Sequence, residues 1–320
     1  MTIALDDLLA QVSPEVEETV RQTQQKALDL LQRAMRNECR LVMRTPDEQQ
    51  EGLPGARVPV EVVPGYPECL RGFRFPDNYA RVLLLSRHRR ALENCRGGNA
   101  GLLALRDELL KQVEPDERAT AIAEHAESLV DWAEDCLRQI DSIDPLRGIL
   151  EVREDILGVY RYELEGLLGD DREPNRARIE LYWCVIGLVA VGLGCRVEDL
   201  TIVVLAHELG HAYTQVGADI QGRRWLASAF RNADVELKEG LAQYLCERVL
   251  QLVEHHYPDA QAAFERLLEK QSFPYQAHRR WAGSNAPEAI RAAMLEVRRN
   301  RLGGLDEFED RLARASGQLG

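Results

Sequence analysis

Lysine is almost missing from this sequence: Lys26, Lys111, Lys238 and Lys270 are all there is, and arginine supplies the other cations. That skew fits the codon usage of a high-GC bacterial genome and carries no mechanistic message. Cationic excess is missing as well, with 40 Lys+Arg against 53 Asp+Glu and a net charge of −13. A surface that follows nucleic-acid phosphates or an anionic bilayer needs that excess. Neither part of the chain supplies it: up to residue 145 the count is 18 cations to 26 anions, and beyond it 22 to 27. No nucleic-acid and no membrane partner is therefore expected. The start, with Asp6 and Asp7, lacks the cationic-then-apolar order of a secretory leader. The longest apolar run, Leu181 to Leu193, has 13 residues, short of the roughly 18 to 20 that cross a bilayer. The seven cysteines include no Cys-x-x-Cys pair, which points to buried thiols in a reducing, cytoplasmic compartment. What is present, 45% hydrophobic residues in 320, is enough for a substantial core.

Periodicity divides the chain in two. Residues 2 to 44 read as helix, with Val20, Ala27, Leu30, Leu31 and Ala34 on one face and Pro14 placed to open a second helix. Thr45 to Asn78 holds six of the 13 prolines and reads as loop, with one short strand at Val58 to Val63. From Tyr79 to Ile140 the helical period returns, with a stripe of Ile122, Ala126, Leu129, Ala133, Leu137 and Ile140. The cationic cluster Arg81, Arg87, His88, Arg89, Arg90 and Arg96 reads as a solvated helix face. Residues 1–145 are thus expected to be a helical region, acting as a lid, an inhibitory segment or a platform for a protein partner. Residues 146–320 open differently. Ile156 to Glu163 and Ala177 to Trp183 are β-branched and aromatic runs around a turn-rich 169–175, an expected antiparallel pair. Helices are expected after that at Cys184–Leu193, Val197–Gln215, Arg224–His255, Asp259–Lys270, Pro287–Arg301 and Leu305–Ala315.

The segment that carries chemistry is His207-Glu208-Leu209-Gly210-His211. Residues four apart on a helix share a face, so both imidazoles can meet one Zn²⁺ while Glu208 lies beside it, placed to take a proton from water. Glu198 and Asp199 suit a helix N-terminus, and Leu200, Val203, Val204, His207 and His211 continue one apolar face. By composition alone such a motif is expected about 0.016 times in a chain with seven histidines. A catalytic zinc needs a third protein ligand and one open position. Residue 217 is Gly217, so the metzincin pattern with a third histidine is excluded. The better candidates lie on the next long helix, in Glu236-Leu237-Lys238-Glu239-Gly240-Leu241-Ala242-Gln243-Tyr244, with Asp219 as a further competitor.

His-Glu-x-x-His followed by Glu-Gly-Leu-Ala-x-Tyr on a later helix resembles the gluzincin zinc metallopeptidases, the thermolysin and aminopeptidase-like group. The resemblance covers residues 146 to 285. It implies an α+β, predominantly helical fold: a zincin-like domain with a small antiparallel sheet and an active-site helix, preceded by the helical N-terminal region. It also implies Glu239 as third ligand, with glycine beside it for close helix approach. The 27 residues between His211 and Glu239 exceed the interval in the commonest members and imply an inserted loop around 217–224. By the same resemblance Arg178 to Tyr182 is an edge strand that pairs with substrate main chain, the alternative being an ordinary core strand, and Tyr275 or His278 stabilises the oxyanion. His255, His256, His88 and His125 read as structural. Peptide deformylases place a cysteine ligand upstream of the same motif, but Cys184 and Cys195 lack that family's context and read as buried hydrophobes.

The expected activity is hydrolysis of peptide bonds in a peptide or protein substrate, with Zn²⁺ on His207, His211 and Glu239 and Glu208 as general base. The alternative is a metal-binding regulatory or scaffold protein that keeps the fold for partner binding. A nucleic-acid-associated protease, suggested only by the Arg81 to Arg96 cluster, is opposed by the net charge around it.

Overall fold

The computed structural model describes residues 2–10, 12–43, 58–76, 82, 85–86, 88–97, 117–142, 146–150, 155–163, 176–219, 232–300 and 303–319. The expected turn at 169–175, the proposed insertion beyond residue 219, and Arg81 and Arg87 of the cationic cluster lie outside those residues. The fold is α+β and predominantly helical, as expected. Among the described residues no helix is long and apolar enough to cross a membrane.

Contacts group the chain into two units, one of residues 1–8 and 72–148, the other of residues 9–71 and 149–320. Residues 9–71 thus group with residues 149–320.

In the first unit β1 (Thr2–Ala4) begins the described chain as a strand, where a helix is expected, and α1 (Leu5–Leu9) follows it. The strand exists because residues distant in sequence complete it: Thr2, Ile3 and Ala4 pair antiparallel with Pro76, Phe75 and Arg74. Two helices, Arg89–Gly97 and Glu117–Ser142, pack through Leu92, Ala133, Cys136, Leu137 and Ile140. Leu129, expected on the buried stripe, is 48% exposed, and Val130 takes the inward position. Arg89 is tied to Glu93 and Asp141, as expected of a solvated helix face.

The second unit is built around one helix. In chain order it contains α2 (Glu15–Cys39), β2 (Leu41–Val42), β3 (Val60–Val63), β4 (Gly158–Glu163), β5 (Arg176–Tyr182), α3 (Trp183–Leu193), α4 (Val197–Val216), β6 (Ala218–Asp219), α5 (Val235–Val253), α6 (Ala260–Leu268), α7 (Phe273–Gln276), α8 (Pro287–Asn300) and α9 (Leu305–Leu319). Gly194 closes α3 in the left-handed region (φ 62°), where glycine carries no Cβ penalty, and the chain reverses directly into α4. Every α4 residue from Asp199 to Gly210 is buried, so the one apolar stripe read from the sequence understates it. The helix is covered by α2, α5, α6 and the sheet together. Fully buried Leu, Ile and Val side chains stabilise by about 1.5–3 kcal/mol each, and α4 carries them on all faces.

The sheet has the order β3-β5-β4. β4 and β5 are antiparallel, Tyr160 opposite Ile179, as expected. β3 pairs parallel on the other side, Val62 opposite Leu181. The strand through Arg178–Tyr182 is therefore central and not at an edge. With both its ladders filled it cannot receive a substrate strand, which corrects the expectation.

Candidate metal centre

Three elements deliver the site. α4 presents His207 and His211 one turn apart, α5 presents Glu239, and the stretch entering β4 presents Asp155. The two ligand helices can bring their side chains together because Gly210 lies against Ala242: a Cβ at 210 would be 2.9 Å from the Ala242 carbonyl oxygen. This is the glycine that close helix approach requires. Gly240, expected in that role, faces Ala277 and His278 with room at 3.4 Å. A second close approach lies above the motif, where a Cβ on Gly158 would be 2.8 Å from Glu208 Cγ and from Val204.

His207, His211, Glu239 and Asp155 each turn a donor atom to the same point, all within 4.8 Å of one another. The two Nε2 atoms are 3.0 Å apart. Glu239 Oε2 is 3.2 Å from His211 Nε2 and 3.4 Å from His207 Nε2. Asp155 offers Oδ1 to His207 at 3.4 Å and Oδ2 to His211 at 3.5 Å. Four donors about 2.1 Å from a common centre in a tetrahedron stand about 3.4 Å apart, so this spacing fits a four-coordinate divalent metal. The chemistry of the set fits as well: two imidazoles and two carboxylates are all ordinary ligands of a divalent metal.

The electrostatics follow from burial and mutual proximity. Burial disfavours the His207 cation, but the Asp155 and Glu239 carboxylates outweigh it and hold the imidazole at about 9. His211 is likewise raised, burial being overcome first by the Glu239 charge and then by Asp155. Burial and mutual repulsion oppose ionisation of Asp155 and Glu239, yet the two histidines keep both carboxyls below their ordinary range. Glu208 is different. It is 1% exposed, burial and the nearby Asp155 charge push its carboxyl up to about 8, and its Oε2 has no hydrogen-bond partner among the described residues. A carboxyl next to a metal-ligand cluster but ligating nothing itself is suited to holding a proton.

Tyr275 is at the site, its ring 5.9 Å from that of His207, and its hydroxyl donates to Asp155 Oδ1 at 2.9 Å. His278, the other expected oxyanion donor, is not: it is fully buried, with Nδ1 at 3.0 Å from the Tyr275 carbonyl oxygen and Nε2 3.4 Å from Glu247. Its place on the turn after α7 points it under that turn, away from the donors. Asp219 pairs with Arg291, and neither it nor Glu236 joins the donor group. Cys184 and Cys195 are free thiols outside it. His255 and His256 stack on each other at 4.0 Å on the exposed end of α5.

Asp155 is the residue that sequence reasoning missed. It precedes the β4 run with no motif around it, and the 51 positions between it and His207 carry no spacing rule. The only signal is an acid immediately before the apolar pair Ile156-Leu157, both buried.

Two cavities flank the donors. One is lined by Leu150, Ile156, Val203, Val204 and Leu267 and reaches His207 and Glu208. The other is lined by Tyr160, Tyr162, Thr214 and Lys238 and reaches His211 and Glu239. Asp155 lines both. Compared with known proteins, the chain matches no family model, no curated protein and no solved structure.

Proposed function

We propose that this chain is a zinc-dependent peptidase with a gluzincin-like, zincin-type domain, acting on peptide or protein substrates. The observation that carries the reading is the convergence of His207, His211 and Glu239 on one point with Glu208 beside them and not among the donors. His207, His211 and Glu239 hold the ion; when bound, zinc supplies Lewis acidity that polarises a scissile carbonyl and acidifies water. Glu208 accepts the proton of the attacking water on a carboxylate oxygen and returns it to the leaving amine nitrogen. Its position, buried beside the donors and not among them, suits both directions of that transfer. Tyr275 is the donor best placed to hydrogen-bond the developing oxyanion through its hydroxyl. The apolar wall of the cavity at Glu208 favours a hydrophobic substrate side chain there.

The experiment is metal analysis of purified protein together with hydrolysis of a mixed peptide library. About one zinc per chain, retained in Glu208→Gln while cleavage is lost, is the expected result. Wild-type protein that holds no metal after careful preparation would sink the proposal.

A metal-binding regulatory or scaffold protein is the second reading, and one observation favours it: Asp155 is a fourth protein donor, and structural zinc sites are closed by four. Stoichiometric metal with no hydrolysis of any library member by the wild type would favour this reading.

A further inference from the structure

Asp155 sets the two readings against each other, because a site closed by protein on all four sides cannot accept a substrate carbonyl. We propose that Asp155 is a displaceable fourth donor, held over the metal position by Tyr275, and that its withdrawal opens the site. The inference rests on the metal reading above.

The donors are unequal. His207, His211 and Glu239 project from two long helices locked together at Gly210 and Ala242. Asp155 has no such support: it lies outside regular structure, ahead of β4, and its side chain is 21% exposed against 9%, 12% and 12% for the other three. Its carboxylate splits between the two imidazoles, one oxygen to each, and Oδ1 also accepts the Tyr275 hydroxyl. Ligands on rigid elements stay, and a ligand on a loop is the one that can leave.

The cavities point the same way. An extended peptide needs a groove running across the metal, yet the space here is divided in two and Asp155 is a wall of both parts. Asp155 is the residue the two linings share, so its withdrawal widens both the Ile156–Val204 pocket and the Tyr160–Lys238 pocket beside the donor group. The same movement breaks the Tyr275–Asp155 hydrogen bond and frees the phenol to donate to substrate. One rearrangement thus vacates the fourth position, opens the groove and supplies the oxyanion donor.

The test uses the full chain loaded with cobalt(II) or zinc, comparing wild type, Asp155→Ala and Tyr275→Phe. Three readouts are taken: the visible absorption of bound cobalt, zinc affinity by chelator competition, and the affinity of acetohydroxamate, a small metal-binding probe. Removing Asp155 is expected to change the cobalt spectrum, weaken zinc binding about tenfold or more, and tighten hydroxamate binding about tenfold, since the competent state is no longer a minor one. Tyr275→Phe, which keeps Asp155 but removes its hydrogen bond, shifts hydroxamate binding in the same direction by less, and it carries the test if Asp155→Ala does not fold. An unchanged spectrum and unchanged affinities in a variant that still binds metal overturn the proposal while leaving the metal site standing. Wild type that binds neither cobalt nor zinc overturns the metal reading itself. Wild type whose cobalt spectrum does not respond to acetohydroxamate at concentrations that saturate Asp155→Ala makes Asp155 a fixed ligand and also overturns displacement.

Discussion

Gly210 and Ala242 mark where the two ligand helices touch: a Cβ on residue 210 would lie 2.9 Å from the Ala242 carbonyl oxygen and 3.0 Å from its Cα. Backbone cannot yield as a flexible side chain can, so Gly210→Ala must push α4 and α5 apart. Overpacking of this kind costs about 1–3 kcal/mol. Because His211 follows Gly210 and Glu239 lies one turn before Ala242, separation also spoils the donor spacing. Thermal unfolding and zinc competition should both report a loss, whereas Gly240→Ala, facing Ala277 at 3.4 Å, should leave zinc affinity nearly intact.

Glu208 touches the site without being a donor, so its substitution separates chemistry from metal binding. Glu208→Gln keeps the shape and removes the proton acceptor. Hydrolysis is expected to fall by about 10²- to 10⁴-fold with zinc content unchanged. His211→Ala, in contrast, should empty the site. Metal loss from Glu208→Gln equal to that from His211→Ala would show Glu208 to be a ligand.

Metal removal should destabilise the second unit, because the ion neutralises two buried carboxylates and joins two helices to the stretch ahead of β4. At a free metal concentration one hundred times Kd, binding to the folded state alone stabilises by about 2.7 kcal/mol. Thermal scans with and without a chelator measure it. The midpoint should rise again on adding zinc to wild type and stay low in His207→Ala.

Much of this site was legible in the sequence because it is local. His207, Glu208 and His211 sit within five residues on a helix whose period can be counted. Glu239 required the further pattern Glu-Gly-Leu-Ala-x-Tyr, and the structure brings it to the same point. What escaped depends on tertiary placement. Asp155 reaches the donors from a stretch without regular structure. Thr2–Ala4 is a strand only because Arg74–Pro76 pairs with it. The Arg178–Tyr182 strand is central only because Val60–Val63 covers its second ladder, and a period of two cannot distinguish an edge from a centre. His278 is adjacent in sequence to residues that line the site, yet the turn it occupies points it toward Glu247.

That pair gives a pH prediction. The contact with His278 holds the Glu247 carboxyl below its ordinary value of 4.5, outweighing the opposing effect of burial. A carboxyl lowered in the folded state stabilises fully above its unfolded value, and the contribution disappears as pH falls through the folded one. Urea midpoints of wild type should therefore fall as pH drops below about 4.5, and His278→Gln should flatten that part of the profile. Parallel profiles in the two proteins would show that the pair does not contribute.

Arg298 shows how a residue distant from the donors can hold them. It is 1% exposed, on α8, and its guanidinium donates to the carbonyl oxygens of Gln215 at 3.0 Å, Gly217 at 3.2 Å and Tyr213 at 3.5 Å. The Tyr213 carbonyl also accepts the Gly217 N–H that closes α4, and a cation at this end suits the helix dipole. Burial disfavours the charge, pulling its pKa well below the ordinary arginine value, so the three carbonyls must offset a real desolvation cost. A fork that reaches several acceptors cannot be replaced by a single ammonium. Arg298→Lys is therefore expected to lose about 1.5–3 kcal/mol and Arg298→Leu about as much or more, since the latter removes all of the guanidinium's hydrogen bonds to these carbonyls. His211 lies two residues before Tyr213, so loosening this end of α4 should also weaken zinc binding although Arg298 touches no donor. Urea unfolding and zinc competition on both variants measure the two effects, and unchanged zinc affinity in a destabilised Arg298→Leu would confine Arg298 to stability alone.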